Sequence, residues 1–147
     1  MRFQTLSPIA LLAAAVEGYW INEIQVPETI AVGSPFTIKF LTAPSPVKID
    51  SVAMTFGLVT TEDLLLPQLG AELGSLFLAN QDAAQGPFDR QLVMRGDAKH
   101  GETTIRIANF RKQGADQSVA IENWQVNVTI ADSTSSKFVS ADPIATH

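Results

Sequence analysis

The chain has 147 residues, 46% hydrophobic and 17% charged, with a formal net charge of −5. That balance excludes wholesale disorder and offers none of the basic surface on which nucleic-acid binding rests. The absence of cysteine, with only two histidines (His100 and His147), excludes disulfides, cysteine nucleophiles, thiolate metal sites and a histidine zinc cluster.

The first element is a leader. Met1-Arg2 gives a positive start, and Leu6 to Val16 is an uncharged, mostly apolar run. Its length suits the apolar core of a signal peptide and falls short of the roughly 20 residues that span a bilayer. Small residues allow cleavage after Ala15 or after Gly18, and residues 1–18 read as the leader. The alternative, a buried N-terminal helix, is opposed by Pro8 within the run and by the abrupt change at Tyr19. Loss of 18 residues removes one Arg and one Glu, so 129 residues remain at the same −5 (9 against 14). No later apolar run approaches membrane-spanning length, so secretion is expected, and a chain of this size buries a core without disulfides.

Beyond residue 18 the period is mostly two. Trp20, Ile24 and Val26 read as one face before Pro27 breaks the run. Phe36, Ile38 and Phe40 alternate with Thr37 and Lys39 after the turn signal Gly33-Ser34-Pro35, and Pro44-Ser45-Pro46 predicts a connection. Val52, Met54, Phe56 and Leu58 alternate again. Val47 and Ile49 have the opposite parity, which predicts a bulge near Asp50-Ser51 or cover on both faces. Thr60 to Leu73 does not alternate and reads as a structured loop; Leu64-Leu65-Leu66-Pro67 within it is expected to pack into the core rather than form an exposed patch. Strands follow over 75–78, from Phe88 to Met94, over 102–108, and most clearly over 124–130. In that last strand Trp124, Val126, Val128 and Ile130 point one way. Phe138-Val139 can add an edge strand, and residues 141–147 read as a frayed tail. About seven strands without a helix predict one all-β domain over 19–140, an immunoglobulin- or fibronectin-like antiparallel sandwich, with a closed barrel as the alternative.

Chemistry is sparse. No Gly-x-Ser-x-Gly elbow, phosphate-cradling loop or spaced metal motif occurs, so no catalytic, metal or cofactor residue is assigned. His100 sits in a turn-like segment, and the carboxylates Asp82 and Asp89 read as solvated surface rather than a glycosidase pair. The charges are ordered. Residues 49–89 hold six acids and no Lys or Arg, whereas 90–112 hold six bases, among them Arg106, Arg111 and Lys112. This is either compositional fluctuation or a dipolar surface that steers a charged protein partner; in the second case those three bases are the candidate contact. Asn127-Val128-Thr129 is the one Asn-x-Thr triplet; its asparagine lies on the predicted solvent face and is a glycosylation candidate.

Several segments carry a resemblance. They are Ile24-x-Val26-Pro27-x-Thr29-Ile30-x-x-Gly33-Ser34-Pro35-Phe36-Thr37, the run Val52 to Leu58, Leu69-Gly70-x-x-Leu73-Gly74-Ser75, Trp124 to Ile130, and the Thr134 to Ser140 tail. Together, over about residues 20–140, they resemble the fungal necrosis-inducing secreted protein effectors. The loop Glu62 to Leu66 and the stretch Arg106 to Lys112 depart from that pattern. The resemblance implies a non-enzymatic apoplastic effector, also delivered into host cells, that binds receptor-associated plant immune kinases and suppresses pattern-triggered immunity, with cell death as a further outcome. It implies no cofactor and fixes no binding residue. Two other classes stand beside it: a cell-wall or glycan-binding module, for which only Tyr19 and Trp20 supply exposed aromatics, and a secreted hydrolase without a recognisable triad.

Overall fold

The computed structural model describes residues 18–61, 64–78 and 86–145. The expected leader lies outside them except for Gly18, which opens the first strand. In chain order the strands are β1 (Gly18–Pro27), β2 (Thr29–Ala31), β3 (Pro35–Ser45), β4 (Ile49–Val59), β5 (Ala71–Phe77), β6 (Phe88–Val93), β7 (Gly101–Gln113), β8 (Ser118–Ala131), β9 (Phe138–Ser140) and β10 (Asp142–Ile144). The described residues contain no helix, and so none long and apolar enough to cross a membrane.

Two sheets form a sandwich. One has the order β6-β3-β1-β9, the other β10-β8-β7-β4-β5, with β2 also on β8. Two three-residue strands share the edge of β8 that β7 leaves free: β10 pairs with Asn123–Gln125 and β2 with Thr129–Ala131. All pairs are antiparallel, as expected, except that the additional three-residue β2 joins β8 in parallel.

The alternating apolar residues meet between the sheets. Ile24, Val26, Ile38 and Phe40 come from one sheet; Met54, Phe56, Ile105, Ile107, Trp124, Val126, Val128 and Ile130 come from the other. Burying each such side chain contributes about 1.5–3 kcal/mol, so this layer dominates stability. Trp124, Val126, Val128 and Phe56 lie where the alternation placed them.

Four local expectations change. A bulge between Ile21 and Glu23 shifts the parity of β1, so Ile21 rather than Trp20 joins Ile24 and Val26 in the core. Pro44 does not end β3: β6 pairs only with residues 35–40, so the strand is an edge there and tolerates a missing N–H. Leu64 and Leu66 are half-buried and Leu65 is 77% exposed, because their loop crosses the outside of a sheet rather than the core. Residues 141–144 do not fray. The Ala141 N–H donates to the Ile24 carbonyl at 2.8 Å, Ala141 is buried, and β10 pairs with β8. The bulge foreseen near Asp50-Ser51 occurs between Ser51 and Ala53.

Candidate functional site

The outer face of the larger sheet is built from the residues that alternate with the core. Cross-strand register fixes its rows: Glu102 beside Thr129, Thr104 beside Asn127, Arg106 beside Gln125, Ala108 beside Asn123, Phe110 beside Ile121 and Lys112 beside Val119. On the other side of β7, Thr55 stands next to Ala108 and Ala53 next to Phe110. On β5, Ser75 and Phe77 extend those last two rows. One end of the face is therefore polar and the other apolar.

A loop shapes the polar end. The Leu69 carbonyl lies over Gly57, where a Cβ would approach it to 2.4 Å, so only glycine lets the loop descend onto β4. Gly70 completes the crossing with φ +96, a conformation that side chains disfavour. Arg106, facing Gly57, is pinned beneath this loop: its Nη1 donates to the Gln68 carbonyl at 3.0 Å. Next to it an open trough of about 660 Å³ runs across β7 and β8. The three polar rows form its floor, Val59 to Thr61 one wall, and Glu28 with Val139 the other. Within the floor the Thr104 hydroxyl donates to Asn127 Oδ1 at 2.7 Å.

The apolar end is a row across four strands. Phe77 is 70% exposed, Phe110 38% and Ile121 61%, with Ala53 between the two phenylalanines. Val119, two residues before Ile121 on the same face, is also exposed. Aromatic and branched side chains aligned in this way occur on surfaces that bind proteins.

Of the sequence candidates, Asn127 is exposed in the trough. The three bases do not form one patch. Arg106 and Lys112 share the outer face but lie six residues apart along an extended strand, about 20 Å. Arg111 has the opposite parity and points between the sheets, where its Nη1 lies 3.6 Å from Glu122 Oε2. The acidic and basic stretches meet across strands rather than stand apart as two poles: Arg95 donates to the Glu72 carbonyl at 2.8 Å and Lys112 lies across from Asp50, while Arg95 pairs with Asp97 of its own stretch at 2.8 Å. Hydrogen bonding from Arg95 holds the Asp97 carboxyl below its ordinary value. His100 is exposed with its Nε2 2.9 Å from Asp132 Oδ1, and Asp82 lies outside the described residues. Among the described residues no group of three or more His, Asp or Glu side chains is placed to hold a metal. The apolar row matches no sequence motif, yet Val119, Ile121 and Phe110 carry a signal: apolar residues on the parity opposite Trp124 and Ile107.

Known proteins match this chain along most of its length. Necrosis-inducing secreted protein 1 of Colletotrichum orbiculare is 24% identical over 140 residues, spanning 95% of this chain and 86% of that protein. Among solved structures, a superoxide reductase (neelaredoxin) from Ignicoccus hospitalis superposes with a TM-score of 0.43 at 10% identity, over 82% of this chain and 86% of that one. That likeness is too distant to bear on chemistry. The sequence model of the Nis1 family matches residues 19–129, from β1 through nearly all of β8, and the chain belongs to that family.

Proposed function

We propose that this protein is a secreted fungal effector that acts on host tissue by binding a host protein, without catalysis of its own. Membership of the Nis1 family supports this reading, as does the necrosis-inducing, secreted character stated in the name of the Colletotrichum relative. The observation that carries a binding role is the exposed row Phe77–Phe110–Ile121 across the larger sheet. Cross-strand pairing repays only part of the exposure of two phenylalanines and an isoleucine aligned in water, and contiguous apolar rows of this kind mark protein-contact surfaces.

The finer reading is that the partner is a receptor-associated immune kinase, whose activity falls on binding, so that pattern-triggered immunity is suppressed. Purified protein titrated against kinase domains from plant immune receptors tests it, with phosphotransfer as a second readout. Binding and reduced phosphotransfer are expected. Retention on insoluble chitin or glucan without kinase binding would replace this reading with that of a cell-wall module.

A further inference from the structure

We propose that Asn127 carries an N-linked glycan and that the trough around it seats the first sugars. The proposal rests on the secretion reading for access to glycosylation, and on the geometry of the outer face for everything else.

Asn127 and Thr129 stand two residues apart on one face of β8, and both line the trough. The hydrogen bond from Thr104 fixes Asn127 Oδ1 and leaves the amide nitrogen, the atom that takes the sugar, without a partner among the described residues. In the transfer the Nδ2–C1 bond forms, the bond from sugar C1 to a lipid diphosphate breaks, and Nδ2 gives up one proton. A triplet inside a long strand reacts on the unfolded chain, so the folded face must then accommodate the product. The trough does so: it is open, and its volume of about 660 Å³ falls within the ~300–1,000 Å³ of small-molecule sites.

Its lining suits N-acetylhexosamine chemistry. Glu102 and Gln125 accept from or donate to sugar hydroxyls and the acetamide, and Thr60 and Thr61 add hydroxyls from one wall. Val59 and Val139 offer apolar surface to the C–H faces of the rings. A seated glycan covers the polar end of the sheet and leaves the row Phe77–Phe110–Ile121 bare. The modification thereby confines protein contacts to the apolar end.

The test is secretion from a eukaryotic host of the full chain behind its own leader and, in parallel, behind a foreign leader. The secreted protein is expected to exceed its sequence mass by one N-glycan, and the excess should vanish in Asn127→Gln and in Thr129→Val. Secreted wild type of unmodified mass from the foreign leader would overturn the attachment. Glycosylation with the foreign leader, alongside no secretion with the native one, would count against the secretion reading alone. Seating is read from the rate at which peptide-N-glycosidase releases the glycan from the native protein. That rate should rise several-fold in the Glu102→Ala/Gln125→Ala variant, and an unchanged rate would show that the sugars project freely.

Discussion

Arg111 Nη1 lies 3.6 Å from Glu122 Oε2, with each side chain only 20% exposed, and the other oxygen of Glu122 accepts from Trp124 Nε1 at 3.0 Å. Arg111 is thus part of the support beneath a core tryptophan rather than a surface base. Arg111→Glu sets two carboxylates against each other in a largely dry site and should cost about 2 kcal/mol or more. Lys112→Glu, on the outer face, should cost within about 0.5 kcal/mol. Urea midpoints of the two variants test this; equal midpoints would place Arg111 on the surface after all.

The apolar row carries a prediction about recognition. Phe110→Ser/Ile121→Ser removes one exposed cross-strand pair, worth roughly 0.2–1 kcal/mol, so the fold should persist. Affinity for the host partner should nonetheless fall at least about tenfold, as expected when anchor side chains at an interface are truncated. Raising the salt concentration should weaken wild-type binding less than this double change does, because the contact is apolar. Titration calorimetry at two ionic strengths separates the two effects. The reverse order would return the emphasis to the bases.

The C-terminal segment should be structural. Ending the chain at Ser140 removes buried Ala141, its bond to Ile24 and the pairing of β10 with β8. At about 1 kcal/mol per lost hydrogen bond and roughly 4 °C per kcal/mol for a domain of this size, melting should fall by about 10 °C. A truncated protein that melts with the full chain would make β10 dispensable.

Acid should loosen the same region. The Ser140 hydroxyl, at 2.6 Å, and the Gln25 amide, at 2.7 Å, both donate to Glu23 and hold its carboxyl below the ordinary value. A carboxyl depressed in the folded state contributes stability above its unfolded pKa, and that stability is lost as pH falls through the folded one. Asp97, held down by Arg95, and Asp116, held down by Ser118, act in the same direction. Melting temperature should therefore decline once pH drops below the ordinary carboxylate range, and Glu23→Gln should decline less steeply. A variant profile parallel to wild type at every pH would leave Glu23 without a role.

The long strands were legible because one of their faces is core. Ile38, Phe56, Ile107 and Trp124 each belong to a period-two run, and each is buried. The three-residue strands β2, β9 and β10 were less legible, because three residues carry little period and the partners of β2 and β9 lie a hundred or more residues away. The parity of β1 failed at a bulge, which shifts faces without a change in composition. At the candidate site the alternation inverts: buried Asn109 and exposed Phe110 exchange the usual places, so the pattern predicts a strand ending at Ala108 although β7 continues to Gln113. Charge blocks along a sequence proved a poor guide to surface, since consecutive strand residues such as Arg111 and Lys112 face opposite ways.

The parallel register of β2 on β8 aligns Thr29 with Thr129, and β1 meets β9 through Val26 and Val139. Both sheets are thus completed by contacts between the beginning and the end of the domain. While the chain is being synthesised, neither sheet has its full set of neighbours until the final strands emerge. Bringing together segments 100 residues apart (29 against 129) carries a loop-closure entropy that local hairpins such as β7–β8 avoid. Such topologies fold slowly for their size. Completion of the sandwich is therefore a late event in the life of each molecule, waiting on the last strands to be made.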